Sequence, residues 1–125
     1  MSQALTEVRS VDLVFPRTTN HYGTMFAGDE LAALARIAFV AATRHTRARL
    51  VLRASTDIAF TAPAPQGRLV ELIGRVVEAS GSTVTVEAEL VAEDLLTGAR
   101  TSCASGRFAL VAVDEAGKAI RLPGP

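Results

Sequence analysis

Hydrophobic and polar residues alternate along several stretches of this chain, and in one stretch the apolar residues crowd together. Val84, Val86, Ala88 and Leu90 alternate with Thr85, Glu87 and Glu89. A period of two places successive side chains on opposite faces of a strand, so this stretch predicts one. Leu50 to Phe60 reads as a strand ended by Thr61-Ala62-Pro63-Ala64-Pro65. Leu69 to Glu78 reads as another, mixed in pattern and bulged at Gly74. Ser102 to Val113 is a last long strand, before a tail that starts at Glu115-Ala116-Gly117. Near the front, Val11, Leu13 and Phe15 alternate with Asp12 and Val14 in a strand closed by Pro16. Ser80-Gly81-Ser82 and Thr97-Gly98 supply the tight turns.

The crowded stretch is different. From Leu31 to Ala42 a single charge, Arg36, interrupts the apolar residues. Residues 29–44 are rich in Ala and Leu, free of Gly and Pro, acidic at the start, and followed by cations at Arg44 and His45. Those are the marks of a helix. It is apolar on almost every face, which predicts burial all round and a wrapper to bury it. The order strand, helix, four strands predicts an α+β fold, one long antiparallel sheet curled around one central helix, in a single domain over residues 1–125.

Composition narrows the class. At 125 residues and 49% hydrophobic content, one domain with a real core is expected. Thirteen basic residues balance thirteen acidic ones with no basic stripe, which argues against a nucleic-acid partner. One cysteine excludes an internal disulfide framework. The first seven residues lack the charged and apolar regions of a signal peptide, and the apolar run at 31–42 is too short to span a membrane. A soluble cytoplasmic protein with no membrane partner is the expectation.

The loop Asn20-His21-Tyr22-Gly23-Thr24-Met25-Phe26-Ala27-Gly28 carries the candidate chemistry. A polar, glycine-punctuated loop running into an apolar helix aims free backbone N–H groups at a ligand, and a helix start adds partial positive charge. Small residues at Ala27 and Gly28 allow close approach.

This loop resembles a known family when taken with Ile37 to His45, Asp57-Ile58-Ala59-Phe60, Gly67 to Leu72 and Val111 to Lys118. The chain is similar, roughly from residue 9 to residue 123, to the hotdog-fold acyl-CoA thioester hydrolases of the brain, brown-fat and bacterial cytosolic type. The resemblance implies a hotdog fold, an acyl-CoA substrate and hydrolysis to free acid and coenzyme A. It implies no cofactor beyond the coenzyme A of the substrate, and no metal. It also implies a homodimer, or a tetramer or hexamer built on dimers, with sites at the dimer interface.

Roles carry over by position. Asn20 matches the asparagine that holds the attacking water or the thioester. Gly28 matches the glycine whose N–H forms the oxyanion hole, and Ala27 stands where a first glycine is usual. The residue matching the general-base carboxylate is Ala35, so the expected base is missing. Three carboxylates are possible stand-ins, Asp29 and Glu30 in the first helical turn and Asp57, with Asp29 assigned to catalysis and Glu30 to substrate contact; the first two also read as complements to the helix dipole. Asp57 reads as a buried or interface-paired acid.

His21, Gly23, Met25 and Phe26 are expected at the substrate, with Leu31 and Leu34 along an acyl slot. Ser82 and Thr83 are expected at the coenzyme A arm. His21 also reads as a packing or interface residue, His45 as a dipole partner, and Cys103 as a small core or interface residue. Arg53, Arg68, Arg75, Arg100 and Arg107 are candidates for the phosphates. Two other readings stay open: a protein that binds acyl-CoA without hydrolysing it, and one half of a mixed site completed by a partner hotdog chain that carries the acid.

Overall fold

The computed structural model describes residues 5–14 and 19–123. Its elements are β1 (Glu7–Leu13), α1 (Ala27–Thr46), β2 (Leu50–Phe60), β3 (Leu69–Ser80), β4 (Thr83–Glu93) and β5 (Arg100–Ala112). The five strands form one antiparallel sheet in the order β1-β3-β4-β5-β2. The helix packs mainly on β3 and β4, at the middle of the sheet. One sheet and one helix with tight hairpins are what the alternation predicted. The β3–β4 turn has Gly81 at positive φ, a conformation that glycine adopts without a Cβ clash. Among the described residues no helix is long and apolar enough to cross a membrane.

The core lies between the inner row of the sheet and one face of α1. Val84, Val86, Leu90, Phe108 and Leu110 meet Leu34, Ile37, Ala38, Ala41 and Ala42. The buried helix positions recur at intervals of three and four. The other helix face is not buried within the chain. Leu31, Phe39 and Val40 are exposed, Phe39 to 45%, so the expectation of burial all round is corrected to burial on one side. On the edge strand β2, Val51, Leu52 and Phe60 are exposed as well.

Three other expectations change. In β1 the buried side chain is Val8, and Val14 follows the strand, whereas Val11 is 60% exposed and Leu13 42%. Alternation says which residues share a face, not which face meets the core. Phe15 and Pro16 lie outside the described residues. Gly74 is not a bulge. It pairs with Val8 and with Ala88 in register, and the irregularity in β3 falls at Val77, between Val76 and Glu78. Asp57 is exposed within the chain rather than buried, at φ +55° in a bulge of β2. Asp tolerates that conformation better than most residues. The bulge turns Ile58 into the space that Gly106 leaves open.

Gly74 is needed for another reason. A Cβ built there would sit 2.8 Å from the carbonyl oxygen of Ile37, inside the helix. The obstacle is backbone, so relief requires moving α1. Gly74→Ala is therefore expected to destabilise the fold by about 1–3 kcal/mol, the usual cost of overpacking. Chemical denaturation measures this, and an unchanged midpoint would show that the helix does not approach so closely.

Candidate functional site

The loop before α1 is held by its own hydrogen bonds. Asn20 Oδ1 accepts from the backbone N–H of Tyr22 at 2.9 Å and of Thr24 at 3.3 Å, and from the Thr24 hydroxyl at 3.2 Å. These backbone donors fix which end of the amide is oxygen. They leave Nδ2 without a protein partner among the described residues. Asn20 N–H donates to Thr24 O at 2.8 Å, and Gly23, at φ +76°, closes the turn by donating to Asn20 O at 3.1 Å. Asn20 thus shapes the loop, as Asn in a turn often does, and still offers two amide protons.

A second segment, residues 63–67, supports the loop. Met25 N–H donates to Ala64 O and Gln66 N–H to Gly23 O, each at 2.8 Å. This support was not legible beforehand, because Pro63-Ala64-Pro65 reads only as the end of a strand.

The helix begins at Ala27, two residues earlier than expected. Phe26 is the N-cap residue and offers no side-chain cap. Asp29 and Glu30 N–H groups share Phe26 O, at 3.0 and 3.1 Å. Ala27 and Gly28 N–H groups then have no acceptor within the described residues, and both residues are exposed. Two adjacent uncapped donors at a helix start form a site for a carbonyl oxygen or an anion. The Phe26 ring stands beside Gly28, with two ring carbons 3.1 and 3.3 Å from where a Gly28 Cβ would be. Sequence reasoning found Gly28 but not Ala27 as the second donor.

The acids near the helix start differ. Asp29 is half-buried and its carboxylate bonds nothing among the described residues. Glu30 is 4% exposed, the one buried charged residue in the described core, and its Oε2 has no partner. Burial pushes its carboxyl up to about 7. Burial also raises the thiol of Cys103, with a smaller push from the nearby Glu30 charge. Cys103 is a buried core residue, as expected, in the bulge of β5 opposite Leu90 and Val91. A thiol held up in this way is a poor nucleophile.

The remaining candidates scatter. Met25 is half-buried against the core, and Phe26 is exposed. Leu34 is fully buried and therefore part of the core rather than of a slot wall. His21 is exposed, its ring 3.9 Å from that of Tyr22. His45 accepts or donates at Nδ1 to the Thr6 hydroxyl at 2.9 Å, in the last helical turn. Ala35 leaves position 35 without an acid, and the exposed face of α1 carries none further along.

Ser82 and Thr83 are not brought to the helix start within one chain. Their hairpin is at the opposite end of β3, roughly 36 Å of strand from Leu69, where Ser82 O accepts from Ala112 N–H. Of the five candidate arginines, four are held by carboxylates: Arg68 by Asp94, Arg75 by Glu7, Arg107 by Glu87, and Arg100 by Glu71 and Glu93. Arg53, at a bulge of the edge strand, has no partner among the described residues.

A depression of about 290 Å³ lies on the sheet face away from α1, lined by Asp57, Arg75, Glu87, Glu89, Ser105 and Arg107. Its charges are of both signs and partly neutralised by ion pairs, and it has no connection to the uncapped donors. Among the described residues no group of His, Cys, Asp or Glu is placed to hold a metal ion.

Comparison with known proteins bears on this geometry. The family model of the thioesterase superfamily matches residues 22–99. The chain is 30% identical over 118 residues to a Bacillus subtilis protein named as an acyl-CoA thioester hydrolase, covering 94% of this chain and 69% of the relative. An acyl-CoA hydrolase from Staphylococcus aureus, solved with butyryl coenzyme A and coenzyme A, superposes with a TM-score of 0.88 at 28% identity, over 96% of this chain and 73% of that one. A hexameric acyl-CoA thioesterase superposes with a TM-score of 0.90 at 33% identity, over 95% and 76%. The helix-in-sheet arrangement is therefore the hotdog fold of these hydrolases.

The carboxyl of Glu30 gives a pH prediction. Its folded pKa lies above the ordinary 4.5, so folding favours the protonated form. The stability this contributes is fully present below about pH 4.5 and is lost as pH rises through about 7. Other carboxylates titrate too, so the informative comparison is with Glu30→Gln. Thermal unfolding between pH 4.5 and 8 is expected to show the wild-type protein losing more stability than the variant. Parallel curves would contradict the burial of an uncompensated acid.

Proposed function

The chain belongs to the thioesterase superfamily, and on that premise we propose that it hydrolyses acyl-coenzyme A thioesters to the free acid and coenzyme A. The observation that carries the reading is the pair of exposed, acceptor-free N–H groups at Ala27 and Gly28, beside a loop braced by Asn20. Thioester hydrolysis asks for little more. The thiolate leaves readily, so the need is to stabilise the oxyanion and to position and deprotonate a water. A single oxyanion donor is typically worth ~10²–10³ in rate, and general-base help ~10²–10⁴.

In this reading Gly28 N–H, with that of Ala27, receives the thioester oxygen. Asn20 Nδ2 donates to the water or the thioester. A first-turn acid, Asp29 or Glu30, replaces the missing carboxylate at position 35. His21, Gly23, Met25 and Phe26 border the substrate. Coenzyme A enters only as part of the substrate. Arg53 is the arginine best supported as a phosphate contact, being the candidate with no partner among the described residues.

A second copy of this chain covers the exposed apolar face of α1 and the edge strand β2. It is also what would bring Ser82 and Thr83 of one chain toward the helix start of another. A cytoplasmic setting fits an acyl-CoA substrate. The non-hydrolytic reading is favoured by one observation, alanine at position 35 on a helix face that carries no acid.

Free-thiol release from butyryl-, decanoyl- and palmitoyl-coenzyme A at high enzyme concentration, with Cys103→Ser as a control, tests the proposal. Turnover is expected, with Asn20→Ala lowering it by roughly 10²-fold, the scale of one lost donor. Ala35→Asp is expected to give no large activation. No turnover with retained acyl-CoA binding, or strong activation by Ala35→Asp, would instead support a binding protein or one half of a mixed site.

A further inference from the structure

We propose that Glu30 is the general base, taking the proton from the attacking water and delivering it to the departing thiolate. The inference rests on the thioesterase reading and names the residue that reading leaves open.

Glu30 is an anomaly in the core. A carboxyl buried to 4% exposure with an unpaired oxygen costs stability, and such groups in folded proteins call for an explanation. Most other acids are engaged. Glu7, Glu71, Glu87, Glu93 and Asp94 sit in ion pairs with arginines. Asp114 accepts backbone N–H groups in its turn. Among the acids of the described residues, Glu30 is the one that is buried and has an oxygen without a partner.

Its place in the helix suits the role. Glu30 is two residues after Gly28, which in helical geometry is about 5.4 Å between Cα atoms. Backbone N–H groups at a helix start point along the axis, so a carbonyl they hold lies over the end of the helix rather than on one side. Helical side chains lean toward that same N-terminal end. The Glu30 arm therefore leaves the helix on its core side and leans toward its N-terminal end. Position 35, by contrast, is about 10 Å further along the axis from Gly28. Asp29 is nearer to solvent and has a shorter arm.

The desolvation that destabilises Glu30 also raises its basicity, to a range where both protonation states are populated near neutrality. No charged group offsets the burial of Glu30; the titratable group its charge reaches is the Cys103 thiol on β5, which Arg68, just before β3, also acts on. Arg68 is occupied with Asp94 at 3.6 Å. The exposed ring of Phe26 stands beside Gly28, at the edge of the helix start a thioester would approach.

The step balances without a further reagent. The Glu30 carboxylate removes a proton from water as the water oxygen bonds to the thioester carbon, and the carbonyl electrons move to the oxygen held by Gly28 N–H. The oxyanion collapses, the C–S bond breaks, and the Glu30 carboxylic acid returns its proton to the sulfur. Free acid and coenzyme A leave, and the carboxylate is regenerated.

The test combines kinetics and stability of Glu30→Gln and Glu30→Asp with the best of butyryl-, decanoyl- and palmitoyl-coenzyme A. For the wild-type protein kcat/KM should rise with pH through an apparent pKa near the Glu30 value of about 7. Glu30→Gln should lower kcat by ~10²–10⁴ with KM within a few-fold, abolish that pH dependence, and melt no lower than wild type at pH 8. Glu30→Asp should keep the pH dependence at a reduced rate.

Glu30→Gln activity within threefold of wild type, or a persisting pH limb, would overturn the assignment. So would a loss of rate accompanied by a lower melting point at pH 8, which marks a structural role. A wild-type protein inactive on all three substrates would defeat the thioesterase reading itself and the assignment with it.

Discussion

The helix lies so close to the sheet that position 74 has no room for a side chain. Ile37 O would be 2.8 Å from a Cβ at Gly74, and the helix face nearby is built from Ala33, Ala38, Ala41 and Ala42. Small residues on both sides let backbone approach backbone. That contact fixes the height of α1 over the sheet, and with it the position of the helix start. The fixed point matters because Ala27 and Gly28 have no cap of their own to hold them. Rigidity comes instead from the packed middle of the helix and from the braces between residues 19–25 and 63–67.

The site is then a consequence of what the helix start lacks. A capping side chain would stabilise α1 by about 1 kcal/mol and would occupy the donors. Phe26 in the cap position leaves them free, and its ring stands beside Gly28 without bonding them. Under the proposed function those free donors are what an oxyanion would need, since such stabilisation draws on donors fixed in advance. Glu30 extends the same logic to a side chain. Its burial and missing partner weaken the fold as pH rises, and they keep a carboxyl in a basic, desolvated state near the donors.

Much of this was legible in the sequence, and what was not has physical causes. The clean alternation at 84–90 and the glycine turns at 81 and 98 give β4 and the hairpins, because their period and backbone needs are local. The apolar stripe of β1 was legible but its facing was not, since Val11 and Leu13 share a face that the helix does not cover. Gly74 signalled an irregularity, and only the position of α1 shows that the demand is for space rather than a bulge. The helix start was read from its acids, two residues late, because Phe26 and Ala27 carry no capping signal. Glu30 looked like an ordinary first-turn acid, for burial without a partner leaves no local trace. Gly28 and Asn20 were singled out because loop chemistry and family resemblance pointed to the same segment.

The central claim is that the uncapped donors at the helix start hold the thioester carbonyl. A crystal structure with a non-hydrolysable acyl-coenzyme A analogue, its sulfur replaced by a methylene next to the ketone, tests it most directly. The account predicts the ketone oxygen about 2.7–3.1 Å from the Gly28 backbone nitrogen. A bound analogue whose carbonyl lies away from Ala27 and Gly28 would contradict it.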